Sequence, residues 1–441
     1  MSPPNPAAVV LAGGLGTRMR SAVPKHFHPL LGRRMVDWVV EAGRAVGADP
    51  LVVVTSPAGA DAFDGVEVAV QAEPRGTGDA LAAAREALAG VEGDLFVLSG
   101  DAPALSPELL RDLLEAHRRE EAAATILSFR PSDPRDYGRV IRDESGAVRE
   151  IVEAGDASPD ELAVDEVNSA IYVFAAQRIW PALDRLDTAN RQAELYLTDA
   201  VRHLVENGER VAAYVAPDPA EAEGVNTRAE LAEAAAVLRD RINGAHMLAG
   251  VTIVDPKTTW IEADVELEPD STIHPFTVLS GQTKVAAGAV VGPHVVAVDA
   301  VIGPESTVGP FCYLRPGTVL EARAKAGTFV EIKNSHIGEG AKVPHLSYIG
   351  DADVGEETNI GAGGITANYR PELGPGKFRT EIGRNVHTAV HNVFVAPVTV
   401  GDNAWIAAGS VVTKNVPPGA LAIARSKQVN KEGFDDRSRH D

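Results

Sequence analysis

The first half of the chain alternates short, continuous apolar runs with segments of helical periodicity. The apolar runs predict strands at Ala7–Leu11, Leu51–Thr55, Asp94–Ser99 and Ala124–Phe129. Their continuous apolar character is typical of strands that are buried on both faces. Between them, helical patterns cover Met35–Ala45, Asp79–Ala89 and Pro107–Glu121. This alternation predicts a parallel α/β sheet with right-handed crossovers, in which ligands bind at the carboxyl ends of the strands.

A different periodicity runs through the second half. Aliphatic residues recur every six positions, first at Ile261, Leu267, Ile273, Leu279, Val285 and Val291, and later in new registers. A coil of three short strands per turn explains this period, because each aliphatic residue points inward. Glycine often follows, as at Gly303 and Gly338, and is expected where a corner needs a positive φ. The pattern predicts a parallel β-helix, and the length of the in-register run argues against a β-sandwich.

The change of period suggests where the domains end. The alanine-rich segment Arg228–Ile242 predicts a connecting helix. We therefore expect a first domain at residues 1–227, a helical linker at 228–246 and a β-helix domain at 247–441. The stretch Asn368–Thr380 is rich in glycine and proline and is expected to loop out of the coil. The charged tail Ser426–Asp441 has no period and is expected to order only in an assembly.

Composition narrows the class of protein. The 441 residues are 45% hydrophobic and 23% charged, as in soluble globular proteins. The net charge of −21 argues against binding to nucleic acid or to an anionic membrane. The single cysteine, Cys312, excludes an intrachain disulfide and fits a reducing compartment. No apolar run approaches the ~20 residues of a membrane span. We expect a cytoplasmic protein.

A glycine-rich loop follows the first strand. Ala12–Met19 contains three glycines and precedes Lys25. Such a loop can turn its backbone N–H groups toward phosphate. It is not a P-loop, since Gly-Lys-Ser/Thr is absent, and its last residue is methionine where a dinucleotide fingerprint needs glycine. Arg18 and Lys25 suit a triphosphate and the charge that develops in phosphoryl transfer. The alternative is a structural turn beside two solvated cations.

An acidic residue follows another predicted strand. Asp94–Ser99 runs into Gly100 and Asp101, at the position where sheets of this kind bind ligands. Mg²⁺ binds oxygen ligands together with substrate phosphates, so Asp101 is a candidate metal ligand. The alternative is an aspartate that caps the turn before Pro103.

The glycine loop with Pro24 and Lys25 resembles the signature of sugar-1-phosphate nucleotidylyltransferases. With the hexapeptide half, residues 7–433 are similar to the bacterial bifunctional N-acetylglucosamine-1-phosphate uridyltransferase/glucosamine-1-phosphate acetyltransferases. The resemblance implies a Rossmann-like parallel-sheet nucleotidyltransferase domain followed by a left-handed parallel β-helix, thus an α/β protein. It also implies Mg²⁺, the co-substrates UTP and acetyl-CoA, a homotrimer, and a product, UDP-N-acetylglucosamine, that feeds peptidoglycan and cell-wall synthesis.

For uridylyl transfer, the resemblance implies that Lys25 and Arg18 are catalytic and that Asp101 and Asn226 bind the metal. Residues matched to UTP or sugar binding are Leu11, Ala12, Gly13, Gly14, Lys25, Gln71, Gly76, Thr77, Gly138, Glu153, Asn168 and Asn226. Gln71 and the pair Gly76-Thr77 match uracil recognition, for which an amide offers both a donor and an acceptor. Gly138, Glu153 and Asn168 match the acetylated sugar. Ser99 stands where some members carry tyrosine.

For acetyl transfer, the resemblance implies that His345 is the general base. Imidazole, with an ordinary pKa of about 6.5, can take the amine proton near neutral pH. The alternative is a structural histidine. Residues matched to the sugar phosphate are Arg315, Lys333, Tyr348 and Asn359. Residues matched to acetyl-CoA are Ala362, Asn368, Tyr369, Ala408 and Arg425. Val390 departs from the small polar residue that is common in the family.

Two other functions fit parts of the sequence. One is a nucleotidylyltransferase with a non-catalytic β-helix, which Val390 and Ser99 favour and the complete set around His345 opposes. The other is a non-catalytic scaffold, which should have lost Lys25, Asp101 or Asn226, and all three are present.

Overall fold

Strands rich in valine, leucine and alanine form the central sheet of the first half of the chain. In the computed structural model, which describes residues 5–14 and 16–434, the chain divides into an N-terminal unit, Met1–Leu238, and a C-terminal unit, Arg239–Asp441. The division falls inside the helix Arg228–Leu248. Leu15 and residues 435–441 of the predicted tail lie outside the described residues.

The N-terminal unit contains a nine-stranded sheet. Seven strands lie side by side in the order Val211–Val215, Ala124–Phe129, Val167–Ala175, Asp94–Ser99, Ala7–Ala12, Leu51–Thr55 and Glu67–Val70. A hairpin of Arg139–Arg142 and Val148–Val152 is attached at the pair Val167 and Arg139. The four predicted strands are all present. The strands of this row are parallel except Val167–Ala175, which runs antiparallel to both of its neighbours and which the sequence pattern did not predict.

Helices cover both faces of this sheet. Those of the N-terminal unit are Met35–Ala45, Thr77–Ala83, Pro107–Arg119, Pro159–Leu162, Ala176–Leu183, Leu197–Glu206 and the start of Arg228–Leu248. Short 3-10 turns are Thr17–Met19, Lys25–Phe27, Pro57–Ala62 and Pro219–Glu221, and Pro29–Leu30 pairs with Arg33–Arg34. The second predicted helix begins at Thr77 and ends at Ala83, earlier than expected. Val9 and Val10 belong to two separate apolar cores, one on each face, which explains the continuous apolar run.

The C-terminal unit is a coil of parallel strands, which confirms the predicted α/β fold with a β-helix. One sheet contains Trp260–Ile261, Val278–Ser280, Val295–Val298, Cys312–Leu314, Glu331–Lys333, Tyr348–Gly350, Ile365–Ala367, Val393–Val395 and Val411–Val412. A second contains Glu266–Leu267, Lys284–Val285, Val301–Ile302, Val319–Leu320, His336–Ile337, Ala352–Val354, Thr380–Ile382 and Val398–Val400.

The third side of the coil is built in two parts. The first part contains Thr252–Ile253, Thr272–Ile273, Val290–Val291, Thr307–Val308, Lys325–Thr328 and Lys342–His345. The second part contains His387–Thr388, Trp405–Ile406 and Leu421–Ala422. Asn359 links the parts through parallel bridges to Lys342 and His387.

The six-residue period corresponds to one side of the coil. Ile261 pairs with Leu279, 18 residues later, which is three six-residue sides. Val285 pairs with Ile302 only 17 residues later, and this shorter step produces the new register. The predicted inward residues are buried, with Leu267 only partly so. Asn368–Thr380 leaves the coil between two strands, as predicted, and contains the turn Pro371–Leu373.

The glycines after the inward residues are of two kinds: Gly292 and Gly309 have the expected positive φ, 106° and 107°, whereas Gly303 and Gly338 do not. A Cβ at Gly303 would lie 2.6 Å from the carbonyl oxygen of Leu320, and one at Gly338 would lie 2.8 Å from the amide nitrogen of Glu356. These glycines allow close contact with the backbone of the next coil. Several corners with positive φ instead carry larger residues, such as Phe311 at 54°.

None of the helices in the described part of the chain is long and apolar enough to span a membrane.

Candidate active sites

A cavity of about 440 Å³ opens at the carboxyl ends of the strands of the N-terminal unit. Most of the residues matched to uridylyl transfer line it, namely Leu11, Gly13, Gly14, Arg18, Lys25, Gln71, Gly76, Thr77, Asp101, Glu153, Asn168 and Asn226. These residues come from distant parts of the sequence, and the sheet brings them together because parallel strands end at one edge.

Two matched residues do not line the cavity. Ala12 is buried. Gly138 lies just behind the cavity wall: its carbonyl accepts a hydrogen bond of 2.8 Å from the backbone N–H of Asn168. A Cβ at Gly138 would lie 3.4 Å from a carboxylate oxygen of Glu153. Gly138 therefore contacts two residues of the wall.

A cationic centre joins three of the lining residues. The buried Lys25 ammonium donates to Asn226 Oδ1 at 2.6 Å and also to Asp101 Oδ2. Ser99 Oγ donates to Asp101 Oδ1 at 2.6 Å. Burial opposes ionisation of Asp101, but the charge of Lys25 and these hydrogen bonds outweigh it and lower the pKa of Asp101 to about 2. Asp101 is therefore an anion at neutral pH.

The backbone brings Asn226 to this centre. The N–H of Val225 donates to the carbonyl of Asp101 at 2.8 Å, so the two segments run side by side. The N–H of Asn226 donates to Glu230 Oε2 at 2.7 Å, which fixes the start of the following helix. The side chain of Asn226 is thereby directed at Lys25.

The oxygens at this centre fit a divalent cation. Asp101 and Asn226 both point an oxygen at one positively charged atom, Lys25 Nζ. Mg²⁺ uses one or two protein oxygens and completes its shell with water and phosphate. No group of three or more His, Cys, Asp or Glu ligands occurs among residues 5–14 and 16–434, so a metal here would depend on such additional oxygens.

His26 lines the same cavity and was not identified from the sequence. Its ring is buried, and Cε1 lies 3.7 Å from the position of a Cβ on Gly14. Burial lowers its pKa to about 4, against the opposing effect of Asp101, so the imidazole is neutral at neutral pH. The only feature of the sequence that could have indicated His26 as a site residue is its position next to Lys25.

Gln71 and Gly76 form the wall next to the glycine loop, since a Cβ at Gly13 would lie 2.9 Å from Gln71 Oε1. Gln71 Nε2 donates to the Gly76 carbonyl at 3.1 Å and to Asp79 Oδ2 at 2.9 Å. These bonds fix which end of the amide faces Gly76. Gly76 has a φ of 118°, and a Cβ there would lie 2.5 Å from the carbonyl oxygen of Leu195. Only glycine fits at this position.

Polar side chains from one strand, one helix and two loop positions line the other end of the cavity. Asn168 Nδ2 donates to the hydroxyl of Tyr172 at 2.8 Å. Thr198 Oγ1 donates to Glu153 Oε1 at 3.1 Å, while burial raises the pKa of Glu153. Glu194 also lines this end. Tyr172, Thr198 and Glu194 were not identified from the sequence, since none lies in a distinctive motif.

In the C-terminal unit, three matched residues lie on consecutive strands of one sheet. Arg315 follows Cys312–Leu314, Lys333 ends Glu331–Lys333, and Tyr348 begins Tyr348–Gly350. Arg315 Nη1 donates to Glu331 Oε1 at 2.8 Å. Asn368 Nδ2 donates to the Tyr348 hydroxyl at 3.2 Å. The sheet thus places two cations and a hydroxyl on one surface.

His345 ends the strand Lys342–His345 on the neighbouring side of the coil. Its side chain is exposed, and no hydrogen bond or ion pair to its ring occurs within the described chain. Asn359 pairs with Lys342 through a parallel bridge on the same side. The imidazole is therefore open to a ligand.

The residues matched to acetyl-CoA are spread over the later coils. Asn368 contacts Tyr348, whereas Tyr369 is exposed and its ring lies 4.2 Å from Lys377 Nζ. Arg425 Cδ lies 4.0 Å from a Cβ placed on Gly409, the residue after Ala408. No described hydrogen bond or ion pair joins Ala408 or Arg425 to Arg315, Lys333 or His345. The N–H of His391 donates to the carbonyl of Ala362 at 2.7 Å.

Val390 lies close to the Ala408 segment. Its carbonyl accepts from the N–H of Gly409 at 2.9 Å, and 46% of its surface is exposed. An exposed valine at this place offers contact to an apolar group and no side-chain hydrogen bond.

Known proteins match the chain along its whole length. Residues 8–206 match the model of the MobA-like NTP transferase domain. The chain is 48% identical to the bifunctional protein GlmU of Streptomyces avermitilis, over 100% of this chain and 96% of that protein. It is 44% identical to the bifunctional protein GlmU of Pelobacter propionicus, over 98% of each. It is 45% identical to the bifunctional protein GlmU of Thermobifida fusca, over 100% of this chain and 96% of that protein. The predicted relationship is confirmed, and the chain belongs to the family of bifunctional GlmU proteins.

Proposed function

We propose that this chain makes UDP-N-acetylglucosamine in two reactions, one in each unit. The C-terminal unit transfers the acetyl group of acetyl-CoA to the amine of glucosamine-1-phosphate. The N-terminal unit transfers the uridylyl group of UTP to N-acetylglucosamine-1-phosphate and releases pyrophosphate. The observation that carries the second assignment is the convergence of Lys25, Asp101 and Asn226 at one wall of the cavity.

Uridylyl transfer needs positioning and neutralisation of charge rather than a covalent intermediate. A phosphate oxygen of the sugar phosphate attacks the α-phosphorus of UTP, and the bond to pyrophosphate breaks. The backbone of the loop around Gly13 and Gly14 receives the phosphates, while Lys25 and Arg18 offset the charge that develops. Lys25 is well suited to this because it is held within the cavity wall.

The two ends of the cavity hold the two substrates. Gln71, with Gly76 and Thr77, faces the uracil, whose edge needs both a donor and an acceptor. Glu153 and Asn168 face the sugar, and Gly138 supports them from behind. Asp101 and Asn226 would hold Mg²⁺, which when bound supplies positive charge to the phosphates.

Acetyl transfer requires a base for the amine. The sugar nitrogen attacks the thioester carbonyl, its proton passes to His345, and the bond from carbon to the coenzyme sulfur breaks. Arg315 and Lys333 bind the sugar phosphate, since both carry a positive charge on the same surface. Tyr348 and Asn359 position the sugar. The coenzyme is held by Ala362, Asn368, Tyr369, Ala408 and Arg425.

The acetyl-transfer site is completed by a further copy of the chain in a homotrimer. In support of this, no described hydrogen bond or ion pair joins Ala408 or Arg425 to Arg315, Lys333 or His345. We also propose domain bounds of 1–227, 228–246 and 247–441, which place the division between Leu238 and Arg239 inside the linker. The enzyme acts in the cytoplasm, and its product feeds cell-wall synthesis.

A crossed pair of variants tests this function. Asp101→Ala should stop formation of UDP-sugar from UTP and N-acetylglucosamine-1-phosphate while release of the free CoA thiol continues. His345→Ala should do the reverse. The assignment is wrong if either folded variant loses both activities, or if both variants keep both.

A further inference from the structure

Asp351 is a buried carboxylate beside the acetyl-transfer site that has no assigned role. It lies at the corner between the strands Tyr348–Gly350 and Ala352–Val354, with a φ of 50°. Only 6% of its surface is exposed. A carboxylate is costly to bury unless partners compensate for the lost water, so its contacts indicate what it is for.

Those contacts lead to residues that we place in the site. Asp351 Oδ2 accepts a hydrogen bond of 2.5 Å from Asn368 Nδ2, and Oδ1 accepts one of 2.7 Å from Asn334 Nδ2. Lys333 Nζ lies 4.0 Å from Oδ2. One carboxylate oxygen is therefore shared by the amide of Asn368 and the ammonium of Lys333.

The chemistry of the carboxylate determines how the Asn368 amide is turned. An ionised carboxylate only accepts hydrogen bonds, so the NH₂ group of Asn368 must face Asp351. The same NH₂ group donates to the Tyr348 hydroxyl at 3.2 Å. The amide oxygen of Asn368 is then directed away from Asp351, and no described residue donates to it. It is available to accept a bond from a ligand.

Asp351 also holds both ends of the segment Asn368–Thr380. Its side chain bonds Asn368, and its backbone carbonyl accepts from the N–H of Thr380 at 3.1 Å. Within the segment, the N–H of Phe378 donates to the carbonyl of Asn368 at 2.9 Å. The residue that orients the amide thus also fixes the position of the backbone that carries it.

We propose that Asp351 is a positioning residue for acetyl transfer, which turns the Asn368 amide so that its oxygen accepts a hydrogen bond from a substrate. The inference rests on the proposed acetyl-transfer site. The donor is an N–H or O–H group, either an amide of the coenzyme arm or a hydroxyl of the amino sugar. The KM values for acetyl-CoA and for glucosamine-1-phosphate distinguish these two sources, since only the substrate that donates to Asn368 loses affinity.

The test reverses the polarity of the pair. Asp351→Asn keeps the shape but leaves one acceptor oxygen for the NH₂ groups of both Asn334 and Asn368, so the Asn368 amide is no longer held in one orientation. We expect kcat/KM for acetyl transfer to fall about tenfold to hundredfold, as for the loss of a hydrogen bond to a buried group. The double variant Asp351→Asn with Asn368→Asp reverses the hydrogen bond: the amide at 351 donates to the carboxylate at 368, whose second oxygen still faces the ligand. It should regain most of the loss.

Controls separate positioning from folding. Asp353→Asn removes a carboxylate two residues away that forms an exposed ion pair with Arg379, and should leave acetyl transfer unchanged. Uridylyl transfer by each variant serves as a measure of intact protein, and Tm reports on the C-terminal unit. A purely structural role would lower Tm and kcat but would not raise the KM for one substrate alone.

Each outcome decides the question. A folded Asp351→Asn enzyme with acetyl transfer within about twofold of the wild type overturns the proposal, as does a double variant no more active than the single one. If the single variant does not fold, a folded and active double variant supports the proposal, and an unfolded or inactive one overturns it. His345→Ala is assayed in parallel. If His345→Ala retains acetyl transfer, the proposed function of the site is wrong. If His345→Ala is inactive while Asp351→Asn is fully active, only the proposed role of Asp351 is wrong.

Discussion

The Lys25 ammonium lies 2.6 Å from the amide oxygen of Asn226, which is 201 residues later in the chain. The same ammonium contacts Asp101, so one cation joins three segments at the edge of the sheet. The arrangement gathers two oxygens and a positive charge at one wall of the cavity, where we propose that phosphates bind. It makes each of the three residues sensitive to the loss of the others.

Removing the amide at this centre should weaken uridylyl transfer. Asn226→Ala removes one of the two oxygens that we propose as Mg²⁺ ligands. We expect kcat to fall about 10²–10³-fold. We also expect a higher Mg²⁺ concentration to be needed for the half-maximal rate. The rate is measured as pyrophosphate release over a Mg²⁺ series. Asn207→Ala removes an exposed asparagine that contacts Arg185 and should have no effect. An unchanged Mg²⁺ requirement in Asn226→Ala would argue against this residue as a ligand.

Chelation should separate the two activities. Adding EDTA should abolish uridylyl transfer, because Asp101 and Asn226 supply only two protein oxygens and the charge on the phosphates needs a cation. Release of the CoA thiol should continue, since the proposed transfer of a proton to His345 uses no metal. Both rates are followed in one preparation before and after Mg²⁺ is restored. Equal loss of the two activities would contradict separate sites.

Gly76 should tolerate no side chain. In Gly76→Ala the methyl group would lie 2.5 Å from the backbone carbonyl of Leu195, in addition to the strain of a φ of 118°. We expect kcat/KM for UTP to fall about tenfold or more, since a shift of this wall misplaces the nucleotide. Gly90→Ala is the matched control, because Gly90 has a φ of 89° and open space around the Cβ position. Similar losses in the two variants would show that strain, not contact with Leu195, matters.

The core of the β-helix should depend on its inward residues. Ile332 is fully buried in the stack of aliphatic residues, so Ile332→Ala should lower the free energy of unfolding by about 2–5 kcal/mol. Val296→Ala, at a position that is 39% exposed, should change it by no more than about 0.5 kcal/mol. Urea unfolding gives both values. Equal losses of unfolding free energy in the two variants would contradict the burial of Ile332 in the core of the coil.

Glu166 should make the N-terminal unit sensitive to acid. Burial raises its pKa, but hydrogen bonds from Arg142 and Ser128 and nearby positive charge outweigh this, so its pKa is lowered from 4.5. Its stabilising contribution is thus complete above the unfolded-state pKa and is lost as the pH falls through the lower folded-state pKa. As the pH falls from about 7 to well below 4.5, wild type should lose more Tm than Glu166→Gln does. An equal loss would exclude this carboxylate as a source of acid sensitivity.

The two periodicities and the short motifs could be predicted from the sequence because they are local. A short, continuous apolar run that is rich in β-branched residues, such as Leu51–Thr55, favours a strand in a sheet that is covered on both faces. The six-residue spacing likewise has one simple explanation. The direction of Val167–Ala175 could not be predicted, because an apolar run does not encode whether its neighbours are parallel.

The residues that the sequence analysis missed are those whose role depends on neighbours from elsewhere in the chain. His26 is significant because it is buried in the cavity, and Tyr172 because Asn168 donates to it. Asp351 is significant because Asn334 and Asn368 both donate to its carboxylate. None of these properties is visible in a single segment.

By itself, the sequence determined the repeating local structure, since hydrophobic period and backbone sterics act over a few residues. Only the tertiary structure decided which distant side chains meet, as Lys25 and Asn226 do, because that depends on strand order and on the edge at which the strands end. It also decided why glycine is needed at Gly303, where the next coil leaves no room for a Cβ.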